Sequence, residues 1–600
     1  MLTWTTDMNG YPATPSPYTR CFLSSFLVLI IGAMCSLTLA AAPPSVRLIE
    51  LEQVVDPAAE LPTPSAYLRK LLADPANQEL RWVDAYPDGV AETTKSISFS
   101  VSEKKTVTFD LFRFKKSIAG MVVWIGDSSS GRKLRYPSDS EVDFDPFNNA
   151  VIVRDGHKLM GTFMVDGQPY RLVFVHDGRH VLIKVDETRL ALESEPRPMP
   201  QEATASSHAS TAASSTADLP TSIIRVMMVT TRQSRAAQPN LTAEIVNAIE
   251  AANLAMSNSD IPIIYQLADV YDADYDEAGT SGANLDQLVD AATDLGKAVA
   301  ARRDLYLLDM VSMVITAPDA CGLGYVNANK AFSFSVVTCL TSLAHELGHN
   351  LGATHNWEEG DPVGSPPYMF GYRDETAPKF RTQMSYDCLT GSCPRVAWFS
   401  TPRKTYLGAP LGTVEHHDVA RRFDERRGVF DDFYPGGNSG YTPYLNQYML
   451  DAGRSVCMQT TSEDDFVRMA PCSASGTEAD QNSMREWQAE PQGDYWIIKN
   501  LYKDLQGNGE RCLMVPLISD MAQIGACSPA AGEYSSQRLW KLEHVSNEMY
   551  ELKNKYRSDS EKGSCLRTFS QTMDVRVGPC FPDGDFDYFS MRRWNWEMFN

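Results

Sequence analysis

The eleven residues His345–His355, reading HELGHNLGATH, constrain this chain more than any other stretch. On a helix, His345 and His349 stand four apart on one face, where two imidazoles can share a metal ion. Glu346 lies beside them, placed for a carboxylate to take a proton from a metal-held water. Gly352 can end the helix with a positive φ and turn the chain so that His355 comes back to the same ion. Three neutral imidazoles leave a tetrahedral zinc one open position, as in catalytic rather than structural sites. The expected ligands of one Zn2+ are therefore His345, His349 and His355, and the expected catalytic carboxylate is Glu346.

This pattern resembles the metzincin metallopeptidases, in which these three histidines bind zinc and the Glu is the base. The likeness extends further along the chain. Metzincins have a methionine turn beneath the metal, and RTQMSYDC places Met384 29 residues after His355. Tyr386 matches a position where some members have a tyrosine near the metal, so it is a candidate to assist the oxyanion or cap the resting zinc; a packing role is the alternative. Residues 221–436 look most like the peptidyl-aspartate metalloendopeptidase group, through ACGLGYV at Ala320–Val326, SFSVVTC before the helix, and WFSTP at Trp398–Pro402 followed by GAPLGT. Asn356 does not settle the subgroup. The resemblance implies an α/β catalytic domain with a mixed twisted sheet, peptide or protein substrates, and a preference for Asp. Such a preference needs a cation in the specificity pocket, best an arginine with its bidentate fork. Arg381, Arg395 and Arg403 all flank the methionine turn, and the sequence does not choose among them.

Charge narrows the partners. Asp and Glu total 76 against 54 Lys and Arg, a formal net charge of -22. Phosphate backbones reward basic faces, so nucleic acid is excluded as a partner. At 600 residues the chain can bury several cores.

Residues 1–42 read as a signal peptide: Arg20, the uncharged apolar run Cys21 to Leu39, then Ala40-Ala41-Ala42. The alternative, a membrane anchor, lacks a basic stop-transfer flank. No stable span is expected after cleavage, and the mature chain is expected outside the cytoplasm, extracellular or periplasmic. Of 12 cysteines two fall in this segment, and the other ten all follow residue 320, an even number suited to disulfides.

From Val46 to Glu195 the chain alternates in β fashion, with Asp-Gly pairs at Asp155-Gly156, Asp166-Gly167 and Asp177-Gly178 between apolar runs. That predicts an antiparallel meander with tight turns and no catalytic residue. Residues 43–195 also resemble the pro-domain of the peptidyl-aspartate group, especially QPYRLVFVHDGRHVLIKVDE. Residues 196–219, rich in Pro, Ala, Ser and Thr, read as a flexible linker. The catalytic domain is expected over 220–436, with helices near Leu241–Met256 and Leu285–Ala301 and an edge strand for the substrate within Gly322–Phe334. Over 437–600 an internal repeat appears. Cys457 and Cys472, Cys512 and Cys527, and Cys565 and Cys580 are each 15 apart, and Trp487, Trp540 and Trp594 follow the pairs. Three β units predict one threefold domain. It resembles ricin-type β-trefoils, which often bind carbohydrate, although Gln459, Met514 and Arg567 stand where such lectins carry Asp.

The expected whole is a secreted zinc endopeptidase zymogen with a C-terminal targeting domain. The rival is a glycan- or cell-surface-binding protein or toxin whose trefoil does the work, the protease only processing the chain. No cysteine lies between Pro43 and Ala320, so silencing by a pro-domain thiolate is excluded and inhibition must come from another ligand or from a blocked cleft. Cutting before Asp218, the linker's one aspartate, would release a domain beginning Asp218-Leu219-Pro220.

Overall fold

The computed structural model describes residues 45–600 apart from 56–65, 118–120, 129–139, 177, 201–220, 377, 435–441, 452–453, 455, 473–481, 507–508, 531, 547–548, 559–562, 570–571, 583–587 and 596–600. The expected signal peptide, most of the expected linker, and Asp218 lie outside the described residues. Among the described residues no helix is long and apolar enough to cross a membrane.

The alternating first region closes on itself. Nine strands, Val46–Val54 (β1), Asn77–Ala85 (β2), Ser96–Ser102 (β3), Lys105–Lys116 (β4), Val122–Asp127 (β5), Asn149–Asp155 (β6), Lys158–Val165 (β7), Gln168–His176 (β8) and Arg179–Val185 (β9), form a barrel in the order β1-β2-β9-β8-β7-β6-β5-β4-β3. Neighbours are antiparallel except β1 and β3, whose parallel pairing closes the ring. The expected meander is thus a barrel, because closure gives every strand two partners and leaves no edge. Alternation fills it: Ile97, Phe99 and Phe109 are buried at 2% exposure or less. The Asp-Gly turns work as expected, with positive φ at Gly156, Asp166, Gly167 and Gly178.

A six-stranded sheet follows: Arg197–Pro198 (β10), Ser222–Thr230 (β11), Ile263–Asp272 (β12), Met310–Val314 (β13), Gly322–Val326 (β14) and Phe334–Val337 (β15), in the order β10-β14-β15-β13-β11-β12. Pairings are parallel except β14 with β15, which makes the sheet mixed. Both faces are covered, so the central strands are apolar throughout. Val226 and Met228 join a core with Ile245 and Leu347, while Met227 and Val229 join another with Leu285 and Val299. Leu241–Asn258 (α1) and the metal-motif helix Leu343–Asn350 (α2) cover the first face. Barrel residues Val151, Val153 and Met160 also belong to that first core, so the barrel packs directly on the face of the sheet covered by α1 and α2. The helix expected near Leu285–Ala301 is two helices, Ser281–Val289 and Asp294–Tyr306. The break has a local cause, since the Thr293 side chain caps the second helix by accepting from the Gly296 amide.

The C-terminal region repeats three times. The disulfides are Cys457–Cys472, Cys512–Cys527 and Cys565–Cys580. Trp487, Trp540 and Trp594 are fully buried, and each indole N–H donates to the carbonyl of the residue after a first cysteine, Met458, Leu513 and Leu566, at 2.8, 3.0 and 2.9 Å. Arg485, Arg538 and Arg592 likewise donate to Pro471, Ala526 and Pro579, each just before a second cysteine. Three backbone hydrogen bonds close a triangle at the centre: Val467 N to Ala522 O, Ala522 N to Val575 O, and Val575 N to Val467 O.

Candidate metal centre

Local structure brings the three histidines together. Helix α2 carries His345 and His349 on one side, and it ends at Gly352, whose φ of +95° suits glycine. The chain then returns through Thr354–Asn356. His345 Nε2 lies 3.0 Å from His349 Nε2 and 3.1 Å from His355 Nε2. His345 Nδ1 faces the Gln383 carbonyl at 2.9 Å, and His349 Nδ1 faces the Ala353 carbonyl at 2.8 Å. A carbonyl only accepts, so each Nδ1 carries the proton and each Nε2 offers its lone pair. Acceptors converging in this way form a donor set for a cation, and the triad is able to bind a metal ion. Burial, with the neighbouring imidazoles, holds His345 well below its ordinary pKa; burial likewise holds His349 and His355 at about 3. Neutral ligands are what zinc needs.

The floor beneath the triad is fixed by close contacts. Met384 is fully buried, and a Cβ on Gly348 would meet its sulfur at 2.5 Å. Gly348 is therefore what lets the helix sit on the methionine turn. Asn350 donates to the Tyr325 carbonyl, tying the helix to strand β14. Cys321–Cys339 links the start of β14 to the approach to α2, and Cys388–Cys393 closes the loop after the methionine turn.

Glu346 is fully buried, and among the described residues neither carboxylate oxygen has a hydrogen-bond partner. Burial, reinforced by the Glu193 carboxylate, pushes its pKa well above the ordinary range. The Tyr386 ring centre is 4.1 Å from that of His355. Burial and a hydrogen bond to Glu195 raise its hydroxyl pKa.

Two expectations change here. The edge strand foreseen within Gly322–Phe334 exists as β14, but its open edge is taken by β10 of the same chain, with Arg197 opposite Tyr325 and Pro198 opposite Val326. The expected linker therefore starts as a strand, because β14 offers unpaired backbone groups that an extended segment satisfies. The stretch ending at Glu195 was also expected to carry no site residue. Glu193 and Glu195 instead reach the metal centre: Glu193 groups with His345 and Glu346, and Glu195 accepts from the Tyr386 hydroxyl at 2.7 Å and lies 3.5 Å from His355 Nδ1. Neither lies near the motif in sequence; the signal available was a pair of carboxylates two apart, ESE, just before the linker.

Three converging imidazoles on a helix and its return, with a buried carboxylate between, make this a zinc-dependent metalloendopeptidase, a hydrolase. Residues 242–356 match the reprolysin-like metallo-peptidase family M12B. The chain is 30% identical over 374 residues to a peptidyl-Asp metalloendopeptidase of Xanthomonas campestris pv. campestris, covering 61% of this chain and 88% of that relative. A Stenotrophomonas maltophilia protein of the same name is 29% identical over 402 residues, covering 65% of this chain and 94% of that one. The chain belongs to the peptidyl-Asp metalloendopeptidase family. Among solved structures, metalloproteinase-II from Bacteroides fragilis is 10% identical with a TM-score of 0.29 over 44% of this chain and 83% of that one.

Proposed function

We propose that the chain is an exported zymogen of an endopeptidase that cuts beside aspartate, with His345, His349 and His355 as the metal ligands and Glu346 as general base. The observation that carries the reading is the position of Glu346, buried without a hydrogen-bond partner among the described residues, next to three converging imidazoles. Bound zinc supplies a Lewis acid that polarises the scissile carbonyl and lowers the pKa of water toward ~7. Glu346 takes the proton of the attacking water at a carboxylate oxygen and returns it to the leaving amine. Its oxygens have no other donor to satisfy, so they are free for that proton. Tyr386 turns its hydroxyl to the developing oxyanion once Glu195 has left. The preference for aspartate is carried over from the peptidyl-Asp metalloendopeptidases that the chain resembles.

The domain reading supports the precursor. Residues 1–42 are assigned to the signal peptide, 43–195 to the pro-domain, 196–219 to the linker, 220–436 to the catalytic domain and 437–600 to a β-trefoil. Five disulfides suit an oxidising compartment outside the cytoplasm. The trefoil assignment rests on the threefold set of tryptophan, arginine and central backbone hydrogen bonds, and the domain is assigned to docking on a glycan or cell surface. The rival, a binding protein or toxin, gains no support from the relatives, all of which are named as endopeptidases. Self-cleavage before Asp218 would release the catalytic domain.

Peptide-library digestion read by mass spectrometry tests the reading. Cuts should cluster beside aspartate, stop with a chelator and return with zinc. Cuts spread evenly over residue types would overturn the aspartate preference, and activity indifferent to the chelator would overturn the metal mechanism.

A further inference from the structure

We infer that Arg395 is the specificity-determining residue of the substrate pocket, receiving an acidic side chain, and that Glu193 of the chain's own strap sits there as a mimic. The inference rests on the aspartate-directed reading above. Of the three arginines flanking the methionine turn, two are committed elsewhere. The Arg403 side chain is 52% exposed and pairs with Asp418 at 2.8 Å. Arg381 is buried but spends its fork on backbone, donating to the Cys393 and Ser385 carbonyls. It pairs with Glu187 and also faces Asp387 at 3.8 Å, so it keeps partners of its own region even without Glu187.

Arg395 differs. Its side chain is 11% exposed, and Nη2 donates to Glu193 Oε1 at 2.7 Å. Nη1 reaches Ser342 Oγ at 3.4 Å, and among the described residues its buried Nε has no partner, so one donor of the fork is unspent. The same Glu193 oxygen accepts from Ser342 Oγ at 2.6 Å, and Ser342 is the N-cap residue of helix α2. The pocket therefore lies at the start of the helix that carries His345 and His349. Among the described residues the buried Glu193 Oε2 has no hydrogen-bond partner, and a Glu193 oxygen lies within 4.8 Å of ligand atoms on His345 and Glu346. The acidic side chain is thus bound at one oxygen and held against the reacting centre. Arg395 borders a cavity of about 310 Å3 that is also lined by Tyr170 and Arg171 of barrel strand β8 and by Tyr67 of the helix Ala66–Ala73.

The backbone of the strap runs as an occupant of the cleft would. Leu192 O accepts from Cys321 N at 3.1 Å, and Arg197 and Pro198 pair with Tyr325 and Val326. Between these anchors Glu193 enters the arginine pocket and Glu195 reaches Tyr386 and His355. When the strap leaves, Arg395 becomes a buried guanidinium whose carboxylate partner has gone. A substrate carboxylate restores the pair; an amide of the same shape does not, since only an ionised acceptor satisfies the charge. A site built to pair with a group rejects the analogue lacking it far more strongly than a hydrophobic slot does.

The test uses the protein expressed at full length and then activated by cleavage and removal of residues 43–195, with matched peptides differing only in Asp, Asn or Lys at the cut. In Arg395→Gln the ratio of kcat/KM for the Asp peptide over the Asn peptide should fall by ~10²-fold or more. An unchanged ratio in a folded, zinc-loaded variant overturns the inference. A second arm does not depend on that variant folding. The synthetic peptide spanning Leu190–Pro198 should inhibit the native enzyme competitively, and its Glu193→Gln version should bind at least ~10-fold more weakly. Equal inhibition by the two overturns the inference. If the native enzyme ignored aspartate, the function proposed above would fall, while the inhibitor pair would still report whether the pocket reads a carboxylate.

Discussion

The metal centre and the C-terminal repeats each gather three equivalent side chains into a buried cluster, and they treat polar atoms in opposite ways. In the repeats, Trp487, Trp540 and Trp594 each find a carbonyl, and Arg485, Arg538 and Arg592 do the same. At the metal centre three lone pairs point at one another and both oxygens of Glu346 lack a partner among the described residues. A buried polar group without a partner costs ~1–3 kcal/mol, so the converging imidazoles cost the fold more than indoles that each find a carbonyl. The difference lies in these two threefold sets: each of the three indoles and guanidinium groups of the repeats finds its acceptor within the chain, while the three imidazole lone pairs converge on a position that a metal ion would fill.

That contrast can be broken most directly at Glu346. Glu346→Gln should reduce turnover by ~10²- to 10⁴-fold while zinc content, read by elemental analysis, stays near one per chain. Ordinary activity in that variant would place the base elsewhere. His355→Ala should lose zinc as well as activity, because a ligand and not only a proton carrier is removed.

On the satisfied side, Trp540→Ala should destabilise the C-terminal repeats by ~3–5 kcal/mol through the lost ring and the orphaned Leu513 carbonyl. Denaturant melts followed by the remaining tryptophans would measure it. Peptide hydrolysis at low temperature should change little, and a loss matching that of Glu346→Gln would erase the contrast. Replacing Cys512 and Cys527 together by Ala opens a loop with a sequence separation of 15. The expected cost is ~3 kcal/mol, slightly below that of the tryptophan.

The smallest effect concerns pH. Glu486, fully buried in the repeats, faces Arg225 and Asp309 of the mixed sheet, and burial pushes its pKa from 4.5 to about 8. Burial also raises Asp309, to about 7. Because the folded value is the higher one, the native state holds the proton that the unfolded chain has released. The Glu486 contribution is fully present below pH 4.5 and is lost as pH rises through about 8. Thermal melts should therefore show Tm falling by several degrees from pH 6 to pH 9. Glu486→Gln should flatten that slope, and a slope unchanged by the substitution would remove Glu486 as its source.

Much of this arrangement was legible in the residues themselves. The metal triad lies within one local segment, so helical period and one glycine define its geometry before any tertiary contact forms. The alternation and Asp-Gly turns of the first region, and the cysteine spacing of the last, are likewise short-range patterns that backbone geometry alone can express. The closure of the barrel, the occupant of the β14 edge and the pairing of Arg395 with Glu193 were decided only by tertiary structure. Each depends on groups far apart in the chain: β1 meeting β3, Arg197 meeting Tyr325, and Glu193 meeting an arginine 202 residues later. A sequence displays which side chains can pair. Which pairs are made is settled by what else is buried beside them, and here the last residues of the segment read as a pro-domain carry the two carboxylates, Glu193 and Glu195, that reach the metal centre.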